Sequence, residues 1–234
     1  MKIHRLAPIA AALGLAFIAA SAVAADSVKV GLIGTYSGPY ADYGRQFDAG
    51  VALYLKESGG TLGGKKAEII KKDTGGAAPD ASKRIAQELI VRDKVNFITG
   101  LDFSPNAYAI APLVTQAKIP TVVMNASSSA ITSSSPYIAR VSFTVQQVSD
   151  PMARWMLKQG INESYVVVAD YASGTDSYTA FEKAFTAGGG KIVGSVRTPM
   201  NNPDFSAYVQ KIKDAKPKSV FFFFPSGVMP PAFL

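Results

Sequence analysis

The chain has 234 residues, of which 48% are hydrophobic, with a single histidine, no cysteine and a formal net charge of +7. That length holds one large domain or two small ones, and the apolar content supplies a core without disulfides. Ser-His-Asp and Cys-His nucleophiles, the usual zinc ligand sets, haem and iron–sulfur clusters are excluded, and lysines scattered without interleaved aromatics give no footprint for nucleic acid.

Lys2 and Arg5 open the chain, followed by an alanine-rich apolar run from Leu6 to Ala20 and the small residues Ser21-Ala22-Val23-Ala24-Ala25. This is the pattern of a secretory signal peptide cut after Ala24 or Ala25. The run is short and weakly apolar for a bilayer span, which takes ~20 apolar residues. Residues 1–25 are read as a cleaved leader, which contains the only histidine, His4, and leaves the mature chain at +5 once Lys2 and Arg5 are set aside.

Strand-length apolar runs then alternate with segments of helical period. Val28 to Gly34 reads as a strand. Tyr43 to Glu57 reads as a helix with Phe47, Val51, Tyr54 and Leu55 inward, ended by Gly59-Gly60. Ala67 to Lys72 is a second strand, Pro79 to Arg92 a helix, Val95 to Thr99 a third strand and Asn106 to Gln116 a helix weakened by Pro112. Ile119 to Met124 is a fourth strand. The serine-rich stretch Asn125 to Ser135 is read as an ordered loop, with Ile138 to Phe143 extended after it.

The rhythm then restarts. Gln147 to Gln159 is a helix with Met152, Trp155 and Met156 inward, Tyr165 to Ala169 a strand, Thr175 to Ala187 a helix and Ile192 to Val196 a strand. Asp204 caps a helix to about Asp214, and Ser219 to Phe224 is the most apolar strand. Near-continuous apolar strands between helices indicate parallel sheets covered on both faces. The restart near residue 145 predicts two similar α/β lobes: residues 26–143 and a second lobe in 144–234. Pro-Pro-Ala-Phe-Leu at 230–234 looks like the start of another helix, so the second lobe is expected to be incomplete and the isolated chain to bind weakly or not at all. Phe221 to Phe224 are expected to lack a strand neighbour or a covering helix.

The loop GTYSGPYADYG, residues 34–44, carries three glycines and three tyrosines at a strand end. It supplies neither GxxxxGK[ST] nor GxGxxG, so a phosphate cradle is not indicated. Asp73, Asp102 and Asp170 stand just past predicted strands. Acid–base work and ordinary loop capping both suit them, but no spacing pairs them and an enzyme is not expected. Four loops follow strand ends: Thr35 to Tyr43, Gly100 to Asn106, Asn125 to Ser135 and Asp170 to Asp176. Parallel sheets bring such loops to one edge, where helix N-termini offer free N–H groups to a small anion. Hydroxyls of Ser104, Ser127 and Ser128, with rings of Tyr43, Phe103 and Tyr171, suit a small organic acid.

The stretches VKVGLIGTYSGPYADYGRQFDAGVALYL, NFITGLDFSPNAYAIAPLVTQAKIPTVVMNASSS, YVVVADYASGTDSYTAFEKAF and NNPDFSAYVQKIKDAKPKSVFFFF resemble the periplasmic substrate-binding proteins of ABC importers, branched-chain amino acid (Leu/Ile/Val-binding) type. The resemblance implies two Rossmann-like lobes with parallel sheets, the type I periplasmic binding protein fold, closing on one ligand. It implies ligand contacts at Tyr43, Ser104, Ala126, Ser127 and Ser128, with Phe103 and Tyr171 as walls and Ser173 a rival to Tyr171. The implied ligand is an amino acid or aromatic carboxylate, with no cofactor or metal; Asp102 is a candidate for an ammonium group. The implied partner is an inner-membrane ABC permease and the implied location the periplasm. A ligand-sensing regulatory protein on the same fold is the alternative, and an exported aspartate-based enzyme a third reading.

Overall fold

The structure is a computed structural model that describes residues 27–201 and 204–234; the leader, with His4, and Asn202-Pro203 lie outside the described residues. The first half of the described chain runs β1 (Ser27–Gly34), α1 (Asp42–Glu57), β2 (Thr61–Leu62), β3 (Lys65–Asp73), α2 (Pro79–Glu88), β4 (Phe97–Gly100), α3 (Ser104–Ala117), β5 (Thr121–Val123) and β6 (Ile138–Arg140). These strands form one six-stranded sheet of order β2-β3-β1-β4-β5-β6, parallel except for the β2–β3 pair. The short β2 was not foreseen, since two residues carry no period.

The second half runs α4 (Gln146–Lys158), β7 (Glu163–Ala169), α5 (Ala172–Ala187), β8 (Lys191–Thr198), α6 (Ser206–Ala215), β9 (Val220–Phe223) and α7 (Met229–Phe233). Its three strands pair in parallel, in the order β8-β7-β9. The chain passes from one sheet to the other between Arg140 and Gln146.

Strand order explains where a cleft must lie. From β1 the chain goes to β3 on one side and then to β4 on the other; from β7 it goes to β8 and then β9. At such a reversal the loops leaving the strand ends diverge and leave a crevice. The loops after β1 and β4 open the crevice of the first lobe, and those after β7 and β9 that of the second.

Alternation along each strand divides the packing. In the first sheet Ile33, Ile98 and Val123 face α2 and α3 and are buried with Leu89, Ile110 and Val114. In the second lobe Phe181 stacks on Phe221 with ring centroids 4.0 Å apart, beneath α4 and α5. The far side of β9 is covered too: Phe222 and Phe224 pack against Phe233 of α7. The expected missing cover is therefore present, whereas β9 pairs only with β7 among the described residues.

Three side chains assigned inward from helical period face outward. Tyr54 of α1 is 49% exposed, and Met152 and Trp155 of α4 are 44% and 53% exposed. On α4 the buried stripe is Ser149, Ala153 and Met156. The small pair lets the helix settle on α5, where Ser149 Oγ and Ser177 Oγ lie 2.8 Å apart. A stripe chosen by hydrophobicity alone overlooks a contact made by small residues.

Candidate functional site

α3 begins at Ser104 and α5 at Ala172, each two or three residues earlier than periodicity indicates. Their N-caps are the extended Phe103 and Tyr171, aromatic residues that carry none of the usual Ser, Thr, Asp or Asn capping signal. The shift places Ser104 and Ser173 in the first turns of two helices that belong to different lobes. Ser104 Oγ and Ser173 Oγ are 2.7 Å apart, and Ser127 Oγ donates to Ser173 Oγ at 3.3 Å. The Ser128 N–H donates to Ser104 Oγ at 3.1 Å. Three hydroxyls and two helix N-termini thus converge from opposite walls, and the termini favour negative charge by ~0.3–1 kcal/mol each.

Ser127 and Ser173 border a cavity of about 240 Å³ between the lobes. That is below the ~300–1,000 Å³ of sites for drug-sized molecules and suits a ligand of one ring. Tyr43, Phe103, Ser127, Tyr171 and Ser173 all line it. Phe103 is the hub of its apolar wall, meeting Tyr40, Tyr43 and Tyr171 edge-on at centroid distances of 5.1, 5.5 and 6.4 Å. Ser104 lies directly behind Ser173. Ser128 turns instead to the other lobe, its Oγ donating to Asp176. Ala126 is in the core of the first lobe, with its N–H given to the Leu101 carbonyl at 2.9 Å.

The loop after β4 is held by unusual backbone. Gly100 has φ +99°, and a Cβ there would run into the Ile33 carbonyl. Leu101 has φ +62° although fully buried, a left-handed conformation that costs a non-glycine residue ~1–3 kcal/mol. The turn aims Asp102 back at β1, where its carboxylate accepts the Thr35 N–H at 2.7 Å and its own neighbour's, from Phe103, at 3.0 Å. Burial pushes the Asp102 carboxyl above the usual range, against the hydrogen bonds from Thr35 and Phe103. It is the only charged side chain among the described residues that line the cavity.

The other two aspartates serve loops. Asp73 Oδ1 accepts the N–H groups of Tyr36 and Gly75, both at 2.8 Å. Asp170 is exposed and lies 3.7 Å from Arg197. No group of three or more acidic, histidine or cysteine side chains suited to a metal occurs among the described residues.

Sequence reasoning missed Asn125, Phe143, the segment Phe223 to Ser226 and Pro230, which complete the lining. The Ser226 N–H and Oγ both donate to the Tyr43 hydroxyl, at 3.0 and 2.7 Å, across the lobes. The turn signal Pro225-Ser226-Gly227 was available, but nothing in it indicated a partner 183 residues away. Gly227, at φ +113°, has its Cα close enough to the first lobe that a Cβ would sit 3.2 Å from the Pro39 carbonyl.

A larger groove of about 530 Å³ lies on the other face of the first sheet, between α1 and the strands. Its walls are Val51 and Tyr54 of α1, the sheet residues Val30, Phe97 and Val122, and Val141, and they bring no convergent polar groups. The smaller cavity is therefore the candidate site.

Comparison with known proteins identifies the family. The family described as periplasmic binding protein matches residues 27–233, and the chain belongs to that family. The chain is 44% identical over 216 residues to Leu/Ile/Val-binding protein homolog 6 of Brucella abortus, covering 92% of this chain and 55% of that protein. Among solved structures it resembles an ABC-transporter solute-binding protein from Rhodopseudomonas palustris BisB5 in complex with 3,4-dihydroxybenzoic acid. There the TM-score is 0.83 and the identity 50%, over 86% of this chain and 55% of that one. It also resembles an R. palustris solute-binding protein in complex with 4-hydroxybenzoate, with TM-score 0.84 and 45% identity over 89% and 56% of the two chains. The chain spans about 55% of the length of these relatives. Its fold is the two-lobed α/β fold of type I periplasmic binding proteins.

Proposed function

We propose that this chain, as a member of the periplasmic binding protein family, captures a small aromatic carboxylate between its lobes and delivers it to an ABC importer of the inner membrane. It acts without turnover, as a binding protein. On this reading residues 1–25 are removed on export to the periplasm, residues 26–143 form the first lobe and residues 144–234 belong to the second.

The observation that carries the proposal is the pair of opposed helix N-termini at Ser104 and Ser173, joined by the Ser127 hydroxyl, with no cationic side chain among the described residues that line the cavity. Serine hydroxyls rotate to donate, so a carboxylate entering between them is held by neutral groups and two helix dipoles. The body of the cavity is aromatic, from Phe103, Tyr171 and Phe224, and fits a planar ring. The two R. palustris relatives solved with hydroxybenzoates support the same ligand class.

Saturation-transfer NMR of the purified chain, which registers weak as well as tight binding, tests this. Benzoate and 4-hydroxybenzoate are expected to show transfer that leucine does not displace. Transfer to neither acid, or displacement by leucine, overturns the aromatic reading.

A further inference from the structure

The cavity lining holds a second set of polar groups, besides the serines, that carboxylate binding leaves unused. Tyr43, in the first turn of α1, is buried with its ring against Phe103, and its hydroxyl crosses to the other lobe. Its oxygen is already an acceptor, for both the N–H and the Oγ of Ser226. What the phenol has left to offer is its proton, and donors on its oxygen make that proton a better donor. Burial holds Tyr43 in its protonated form, raising it above the ordinary tyrosine value against the lowering effect of Ser226. Asp102 lines the same cavity, its carboxylate accepting the Thr35 and Phe103 N–H groups, one on each oxygen, and an ionised carboxylate has about four acceptor positions in all.

The Asp102 carboxylate repels a ligand carboxylate, and a ring C–H leaves both Asp102 and Tyr43 without a partner. A phenolic hydroxyl satisfies both, accepting from Tyr43 while donating to Asp102. We infer that Tyr43, polarised by Ser226 and paired with Asp102, reads a ring hydroxyl on the ligand, so that hydroxybenzoates are selected over unsubstituted benzoate. This rests on the aromatic-carboxylate reading and adds an orientation to it: carboxylate toward Ser104, Ser127 and Ser173, hydroxyl toward Tyr43. Leaving a buried polar group unpaired is what makes such sites reject the analogue that lacks the hydroxyl. Because Ser226 belongs to the second lobe, the reader is assembled only when the lobes meet.

The measurement is the ratio of dissociation constants for benzoate and 4-hydroxybenzoate, by NMR titration of the full chain and of Tyr43→Phe and Ser226→Ala. The unsubstituted chain is expected to favour 4-hydroxybenzoate by about tenfold, the worth of one good hydrogen bond. The ratio is expected to fall to about one in Tyr43→Phe and to an intermediate value in Ser226→Ala, which keeps the backbone donor. Ser226 is exposed, so its variant folds even if Tyr43→Phe does not. A ratio unchanged in either folded variant, or no preference in the unsubstituted chain, overturns the inference while leaving benzoate binding, and the aromatic reading, in place. Failure of both acids to bind overturns the two together.

Discussion

Asp176 of α5 accepts a 2.7 Å hydrogen bond from the Ser128 hydroxyl in the other lobe, and the same oxygen takes the Ser129 N–H at 2.8 Å. A carboxylate on the fifth residue of α5 thus ties down the loop that follows β5 in the opposite lobe. Ser128 is also held from its own side, by the Tyr108 hydroxyl at 2.6 Å and, at its carbonyl, by Arg140 Nη1 at 2.7 Å.

Hydrogen bonds to a charged group contribute ~1.5–3 kcal/mol, less where water competes. Asp176→Ala is expected to open the lobes and weaken ligand binding by about tenfold or more. Small-angle scattering reads the opening as a larger radius of gyration. An unchanged scattering curve together with unchanged affinity removes Asp176 from the closing machinery.

Gly227→Ala places a Cβ where the Pro39 carbonyl is 3.2 Å away and forces a side chain onto φ +113°. The cost is ~1–3 kcal/mol, and it falls on the segment that carries Ser226 to Tyr43. A lower melting temperature is expected, along with a reduced preference for 4-hydroxybenzoate, although no polar group has been removed. Wild-type values for both show that this loop has room to relax.

Acidification has a defined sign. Hydrogen bonding from Lys72 holds Glu88 below its usual value of 4.5, and hydrogen bonding from Arg92 and Arg154 holds Asp93 and Asp150 below theirs of 3.8. A carboxylate depressed in the folded state contributes stability above its unfolded pKa and loses it as the pH falls through the folded one. Asp102, raised by burial, works in the opposite direction and favours the folded state on protonation. Because the depressed groups outnumber it, the melting temperature is expected to hold from about pH 7 to about pH 5 and to drop below about pH 4. In Arg92→Met the drop is expected to be shallower, since Glu88 and Asp93 share that guanidinium. Circular dichroism melts across this range decide it; a drop just as steep in the variant removes the pair as its source.

The apolar groove on the first sheet exposes Val141 at 73% and Tyr54 at 49%. A contiguous apolar surface of this kind binds hydrophobic dyes. Anilinonaphthalene sulfonate is expected to fluoresce with the folded chain and to lose much of that signal in Val141→Lys and Tyr54→Lys. Exposed substitutions of this sort usually change stability by only about 0.5 kcal/mol. A dye signal that survives both substitutions puts the apolar surface elsewhere.

Much of the fold was legible because parallel strands write themselves as dense runs. Val28 to Gly34, Tyr165 to Ala169 and Ser219 to Phe224 are all strands in the structure, give or take a residue or two. Helix starts were less legible: Phe103 and Tyr171 cap α3 and α5 without a polar side chain, so the first turns holding Ser104 and Ser173 were read as loop. Helix faces failed at Trp155 and Tyr54 for a related reason. Period marks which residues share a side of a helix, but the neighbouring element decides whether that side is covered.

From the sequence alone come the two α/β lobes and the loops where small polar residues follow strand ends. These follow from local chemistry and from the fixed geometry of parallel strands. Tertiary structure alone decided that Ser104 meets Ser173, that Ser128 leans on Asp176, and that Ser226 clasps Tyr43 from the other lobe. Each of these pairs joins residues 48 to 183 positions apart on different lobes. No periodicity along the chain records such a meeting, because it depends on how two separately folded sheets set their crevices face to face.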